Sequence, residues 1–189
     1  LAQDCLYGGT HGLLTAEGKA FGIDFDFIAT RDPREWATKL TPKTKAIYVE
    51  AITNPLMDVI DHRQVVAFAK AHKLVSIIDA TFTSPVNFRP LALGYDVVLH
   101  SATKYLNGHS DLIAGAIVSS REWVKKANLR LYHFGGSLDA HACFLLQRGL
   151  KTLALRVRQQ NQNALALAEF LAGHKAVKFV RYPGLPSPP

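Results

Sequence analysis

A chain of 189 residues that is 48% hydrophobic is long enough to bury one sizeable core and too apolar to be a disordered segment. Its two cysteines, Cys5 and Cys143, form no Cys-x-x-Cys pair and join no His/Cys cluster, which argues against a disulfide framework or a zinc site and fits a reducing cytoplasm. The net charge of +7 raises the possibility of a basic polyanion-binding α/β module, yet residues 1–120 are nearly neutral, the excess falls in residues 121–189, and no aromatic-interleaved basic stripe or nucleic-acid motif accompanies it.

In chain order, strand-like and helix-like segments alternate, the pattern of an α/β fold with a mostly parallel sheet flanked by helices. Ile23–Ile28 alternates with period two and reads as a strand. Asp32-Pro33-Arg34-Glu35 resembles a capping box with proline at the first helical position, opening a short helix through Leu40. Lys45–Glu50 is the next strand, and Asp61 caps a helix whose Val65, Val66, Phe68 and Ala69 keep helical spacing. Leu74–Ile78 is a strand ending at Asp79, Tyr95–His100 another, and Ala114–Ser119 another. Trp123–Leu131 reads as helix, and residues 140–172 as a long helix with a possible break. Val177–Val180 reads as a last strand before the turn-rich Gly184–Pro189. Arg121, Lys125, Lys126 and Arg130 are expected on one solvated helix, with Lys151, Arg156 and Arg158 around another. No apolar run reaches the roughly 20 residues of a membrane helix, and Leu1–Cys5 lacks the basic region of a signal peptide. A first residue other than methionine leads us to expect a chain that begins mid-protein.

Chemistry concentrates where strands end. Glu50, Asp79 and the group Ser101-Ala102-Thr103-Lys104 stand at or just after the carboxyl ends of three successive strands, the rim on which open α/β sheets build their sites. Lys104, among hydroxyls, glycine and aromatics, is placed as a Schiff-base lysine would be, with its amine freed by desolvation to attack a carbonyl. By spacing alone the commoner reading, a solvated surface lysine, stays open. Asp79 ends an apolar run and is costly to bury without a cationic partner, although a helix cap or a structural salt bridge is an equal alternative. Ser101 and Thr103 offer hydroxyl donors for a phosphate. Tyr7 precedes the flexible pair Gly8-Gly9, and Asn54 is restricted by Pro55; taken alone these are an ordinary aromatic and a turn residue. His100, His109 and Asp111 match no zinc template, and no metal is expected.

The segment Ser-Ala-Thr-Lys-Tyr-Leu-Asn-Gly-His-Ser-Asp, residues 101–111, resembles the pyridoxal-phosphate lysine signature of the Cys/Met-metabolism (transsulfuration) enzymes. Asp4–Thr10, Tyr48–Glu50 with Thr53-Asn54-Pro55, Ile78–Phe82 and Gln147–Leu153 resemble further blocks of that family in the same order, so the likeness runs from Leu1 to about Gly184. The resemblance implies a fold-type-I large domain over residues 1–150, followed by a connecting helix and the start of a C-terminal domain over 151–189. It implies that pyridoxal 5'-phosphate is carried on Lys104, with Asp79 on the pyridinium nitrogen, Ser101 and Thr103 on the phosphate, Tyr7 stacked on the ring and assisting proton transfer, and Asn54 near the pyridoxal oxygen. Glu50 and Thr81 stand behind these. It further implies C–S bond chemistry at Cγ or Cβ of a sulfur amino acid or activated homoserine, in a cytoplasmic homotetramer built from dimers. A phosphate loop, a Tyr/Arg pair given to a neighbouring subunit and a carboxylate-binding Ser and Arg are then expected outside residues 1–189. Gly9 stands where methionine γ-lyases typically carry cysteine, and Ala80 and Ala51 replace a common asparagine and a common serine or threonine. Lyase, synthase and homoserine-ester sulfhydrylase stay open, with a Schiff-base aldolase the alternative outside this chemistry.

Overall fold

The computed structural model describes residues 1–28 and 32–185. Its six-stranded sheet has the order β2-β1-β3-β4-β5-β6, with β1 Ala2–Gln3, β2 Phe27–Ile28, β3 Ala46–Glu50, β4 Val75–Asp79, β5 Val97–Ser101 and β6 Gly115–Ser119. All pairings are parallel except β5 with β6, which is antiparallel. The α-helices among the described residues are α1 Gly8–Gly12, α2 Pro33–Thr38, α3 His62–Ala71, α4 Ser84–Asn87, α5 Pro90–Leu93, α6 Arg121–Phe134, α7 Ala140–Leu150 and α8 Leu153–Ala172, and a π-helical turn, Leu13–Glu17, and a 3-10 turn, Gly18–Phe21, follow α1.

Strand alternation divides the sheet into two working faces. Ile47, Val49, Ile78 and Val98 turn to one side and join Val65, Val66, Phe68 and Ala69 of α3 in the main core, together with Trp36 of α2. Trp36 and Phe68 meet edge to face with ring centroids 5.3 Å apart. Full burial of each such aliphatic side chain is worth about 1.5–3 kcal/mol, so this face holds the sheet to its helices. The residues between them, Tyr48, Glu50, Ile77 and Asp79, fall on the opposite face by the same alternation, with Tyr48 beside Ile77 and Glu50 beside Asp79 in register.

The helix starts follow their caps. The Asp32 carboxylate accepts the Arg34 amide, and Asp61 accepts the amides of Arg63 and Gln64, satisfying donors that the first helical turn leaves unpaired. Asp139 does the same at α7 through His141 and Ala142. The break expected within residues 140–172 falls at Lys151-Thr152, between α7 and α8.

Three expectations are corrected. The strand read over Ile23–Ile28 is paired only at Phe27–Ile28, because β1 beside it is two residues long. Val177–Val180 is not a strand: the Val177 amide is spent on the His174 carbonyl in a turn, and no sheet edge pairs with the segment among the described residues. Arg156 does not belong to a solvated face. Its guanidinium turns inward, donating to the carbonyls of Tyr105 at 3.0 Å and Gly149 at 2.8 Å. Residues 186–189 of the turn-rich end lie outside the described residues. Among the described residues no helix is long and apolar enough to cross a membrane.

Candidate active site

Four neighbouring strands deliver the rim. Tyr7 follows β1, Glu50 ends β3, Asp79 ends β4 and Ser101 ends β5, and these strands lie side by side in the sheet. Asp79 Oδ1 accepts the Thr81 amide at 2.8 Å, and the Thr81 hydroxyl accepts the Ser101 amide at 2.7 Å. Thr81 thereby ties the end of β4 to the end of β5. Asp79 forms no ion pair among the described residues. Its neighbour in register is Glu50, a second carboxylate, and nearby His100 supplies no cation because burial lowers its pKa, against a smaller opposing pull from Asp79. This carboxylate is half-buried, and its Oδ2 accepts no hydrogen bond among the described residues.

The lysine loop leaves β5 as a tight turn. The Lys104 amide bonds to the Ser101 carbonyl and the Lys104 carbonyl accepts the Gly108 amide at 2.7 Å, so main-chain bonds shape the turn while the lysine side chain is exposed. The desolvation expected from the sequence is therefore not provided by the described residues. Thr103 is engaged locally: its hydroxyl donates to the Ala114 carbonyl at 3.2 Å and accepts the Ala114 amide at 2.9 Å. Ser101 differs, since no hydrogen bond to its hydroxyl forms among the described residues. An open depression of about 740 Å³ lies beside Lys104, bordered by Phe82, Thr103, Tyr105, Ser110 and Gln160. Tyr7, Asn54 and Asp79 do not line it, so it marks one flank of Lys104 and not the whole rim.

Behind the loop stands a support that sequence reading missed. Arg156 holds the carbonyl of Tyr105, the residue after Lys104, to the junction of α7 and α8. Asn107 donates to Asp111 at 2.8 Å, and Asp111 pairs with Arg148 of α7 at 3.0 Å. Gly149 lies against the Asn107 backbone so closely that a Cβ there would sit 2.3 Å from the Asn107 carbonyl oxygen. An isolated glycine inside a helical pattern was the available signal. Gly149→Ala gains about 1 kcal/mol of helix propensity but forces backbone apart, and overpacking costs typically about 1–3 kcal/mol or more. We expect net destabilisation, read as a lower urea midpoint at unchanged slope.

Tyr7 and Asn54 come from two different connections. Tyr7 is 55% exposed, and its ring lies over Gly9, where a Cβ would be 2.6 Å from Cε1. Gly8 and Gly9 open α1, so the pair is helical, and the absent side chain makes room for the tyrosine ring. Asn54 precedes Pro55 through a cis peptide. The Tyr7 and Asn54 amides both bond to Glu50, at 2.7 and 3.1 Å. Tyr48, read from the sequence as part of a strand and given no role, lies on the same sheet face as Glu50 and Asp79; burial, reinforced by Asp79, raises the pKa of its hydroxyl. Among the described residues no group of three or more His, Cys, Asp or Glu side chains is placed to hold a metal ion.

A family model described as Cys/Met metabolism PLP-dependent enzyme matches residues 1–189. The chain belongs to that family. It is 42% identical over its whole length to a probable cystathionine gamma-synthase of Herpetosiphon aurantiacus, covering 60% of that protein. It is likewise 42% identical to a cystathionine beta-lyase of Bacillus subtilis, covering 49% of it. The crystal structure of cystathionine gamma-lyase from Lactobacillus plantarum complexed with L-serine superposes with a TM-score of 0.95 at 43% identity, over all of this chain and 50% of that one. The family member thus spans about half of the relatives' length, and its sheet and helices are those of their fold.

Proposed function

We propose that the protein carrying this chain is a transsulfuration enzyme that makes or breaks a C–S bond at Cγ or Cβ of a sulfur amino acid or activated homoserine, with Lys104 as the covalent attachment point of pyridoxal 5'-phosphate. The observation that carries this reading is Asp79, a half-buried carboxylate without an ion-pair partner among the described residues, on the same rim as the Lys104 loop. The donor set suits that cofactor: a primary amine, a Ser101 hydroxyl and an Asp79 carboxylate that have, respectively, no hydrogen-bond partner and no ion-pair partner among the described residues, and an exposed aromatic ring at Tyr7.

When bound, the cofactor supplies an electron sink for the carbanion formed at substrate Cα. Asp79 would hold a proton on the ring nitrogen, a charge-assisted contact that would offset the cost of burying the carboxylate. Ser101 would donate to a phosphate oxygen, and Thr103 would join it by turning its hydroxyl proton away from the Ala114 carbonyl. Tyr7 would cover the ring, and Asn54 would donate to the pyridoxal oxygen. Once free as an amine, Lys104 Nζ would take the proton from substrate Cα and return it during the elimination or replacement. We further propose residues 1–150 as the cofactor domain, residues 151–189 as the connection to a second domain, a small amino acid as substrate, and a cytoplasmic homotetramer built from dimers.

Borohydride reduction of the whole protein loaded with pyridoxal 5'-phosphate tests the assignment. We expect the pyridoxyl mass on the tryptic peptide that runs through Lys104, where trypsin no longer cleaves once the amine is alkylated. Labelling of another lysine, or of none, would overturn it. Turnover of cystathionine, cysteine and O-acylhomoserines on the same preparation then separates lyase from synthase.

A further inference from the structure

Among the described residues, Glu50 is the rim residue whose carboxylate has both oxygens committed within the protein. It is 5% exposed, and it forms no ion pair among the described residues. Such a carboxylate is costly to keep unless both oxygens are occupied by donors. They are: Oε1 accepts the Tyr7 amide at 2.7 Å and Oε2 accepts the Asn54 amide at 3.1 Å. The two donors are 47 residues apart in sequence, one in the connection after β1 and the other in the turn after β3. Glu50 is itself fixed from behind, since its own amide donates to Gln3 Oε1 at 2.9 Å, and its neighbour in register is Asp79. Among the described residues no cation pairs with Glu50 as it would with an ordinary structural ion, and the adjacent carboxylate makes its charge harder to hold.

Only a carboxylate offers two acceptors and no donor in a planar fork. The fork here sets the distance between the backbone bearing Tyr7 and the backbone bearing Asn54. We infer that Glu50 is a positioning residue, a two-oxygen clamp that holds these two connections in register and thereby fixes the spacing of the Tyr7 ring and the Asn54 side chain over the rim. The consequence for the cofactor rests on the function proposed above; the clamp itself does not. Burial raises the Glu50 pKa, with Asp79 adding to that rise, while the two amide bonds oppose it, as they would for a carboxylate retained for its acceptors.

Glu50→Gln separates a clamp from a space filler. The amide keeps the shape and volume but has one acceptor, and it turns an N–H donor toward a backbone N–H. In the cofactor-free whole protein, we expect faster hydrogen–deuterium exchange in the segment of Tyr7 or of Asn54, with β4 unchanged. The Kd for pyridoxal 5'-phosphate, read from its absorbance, should rise roughly tenfold or more while borohydride still labels Lys104. Glu50→Asp keeps charge and both acceptors but is one methylene too short to reach both amides, and it should show the same two effects. Unchanged exchange and Kd in Glu50→Gln would overturn the clamp, and unchanged values in Glu50→Asp would show that charge and not reach is what matters, which also overturns it. Should Glu50→Gln fail to fold, Glu50→Asp decides by the same readouts. If the parent protein bound no pyridoxal 5'-phosphate, the proposed function would fall, and the exchange measurement alone would still decide the clamp.

Discussion

Replacing Lys104 by alanine in the whole protein is expected to lower kcat/KM for C–S bond chemistry by roughly 10⁴-fold or more while leaving the fold intact. Proton transfer by a positioned base alone is worth about 10²–10⁴-fold, and loss of the covalent attachment adds to it. The fold should survive because the turn is held by main-chain bonds at Ser101 and Gly108 and by Arg156 on the Tyr105 carbonyl, none of which uses the lysine amine. Cofactor should still associate through phosphate and ring contacts, more weakly and without a borohydride-stable link. Steady-state kinetics, the urea midpoint and mass analysis after reduction check the three parts separately. Activity within tenfold of the parent would remove Lys104 from the reaction.

Asp79→Asn is the second large effect, expected to lower kcat by roughly 10²-fold or more, since a neutral amide does not hold a proton on a ring nitrogen as a carboxylate does. The substitution is mild for the fold. Asparagine keeps an oxygen to accept the Thr81 amide that Asp79 Oδ1 now accepts at 2.8 Å, so the tie from β4 through Thr81 to Ser101 stays closed. It also removes the like charge that lies beside Glu50 in register. The urea midpoint of the cofactor-free protein should therefore hold or rise, the stability pattern of a residue retained for chemistry. Exchange of substrate Cα–H with deuterium, followed by NMR, should slow in step with kcat. Normal exchange in the variant would show that the carboxylate is structural.

Local chemistry made much of this legible in the sequence. The apolar run Val75–Ile78 had to be a strand, and alternation alone placed Asp79 on the face opposite Ile78. Asp32, Asp61 and proline at the first turn marked helix starts because the donors they satisfy are a few residues away. The sequence also placed Glu50, Asp79 and Ser101 on one rim, since each ends a strand of a parallel sheet. The rim motifs, read as a resemblance, led to the family that the whole-length match shows.

What required the tertiary structure were contacts between residues distant in sequence. Val177–Val180 has the composition of a strand, but a strand exists only where a partner offers its backbone, and none does among the described residues. The two residues of β1 carry no periodic signal and become a strand because β2 and β3 pair with them on either side. Arg156 reads as one basic residue among many until the fold brings it to the Tyr105 carbonyl, 51 residues away. Gly149 looks like a weakness in a helix until the Asn107 backbone is seen to fill the place of its side chain. Glu50 is the fullest case. Sequence pattern put it at the end of a strand, but only the fold shows that its two oxygens are shared between amides from two separate connections, because hydrogen-bond partners are chosen by distance in space.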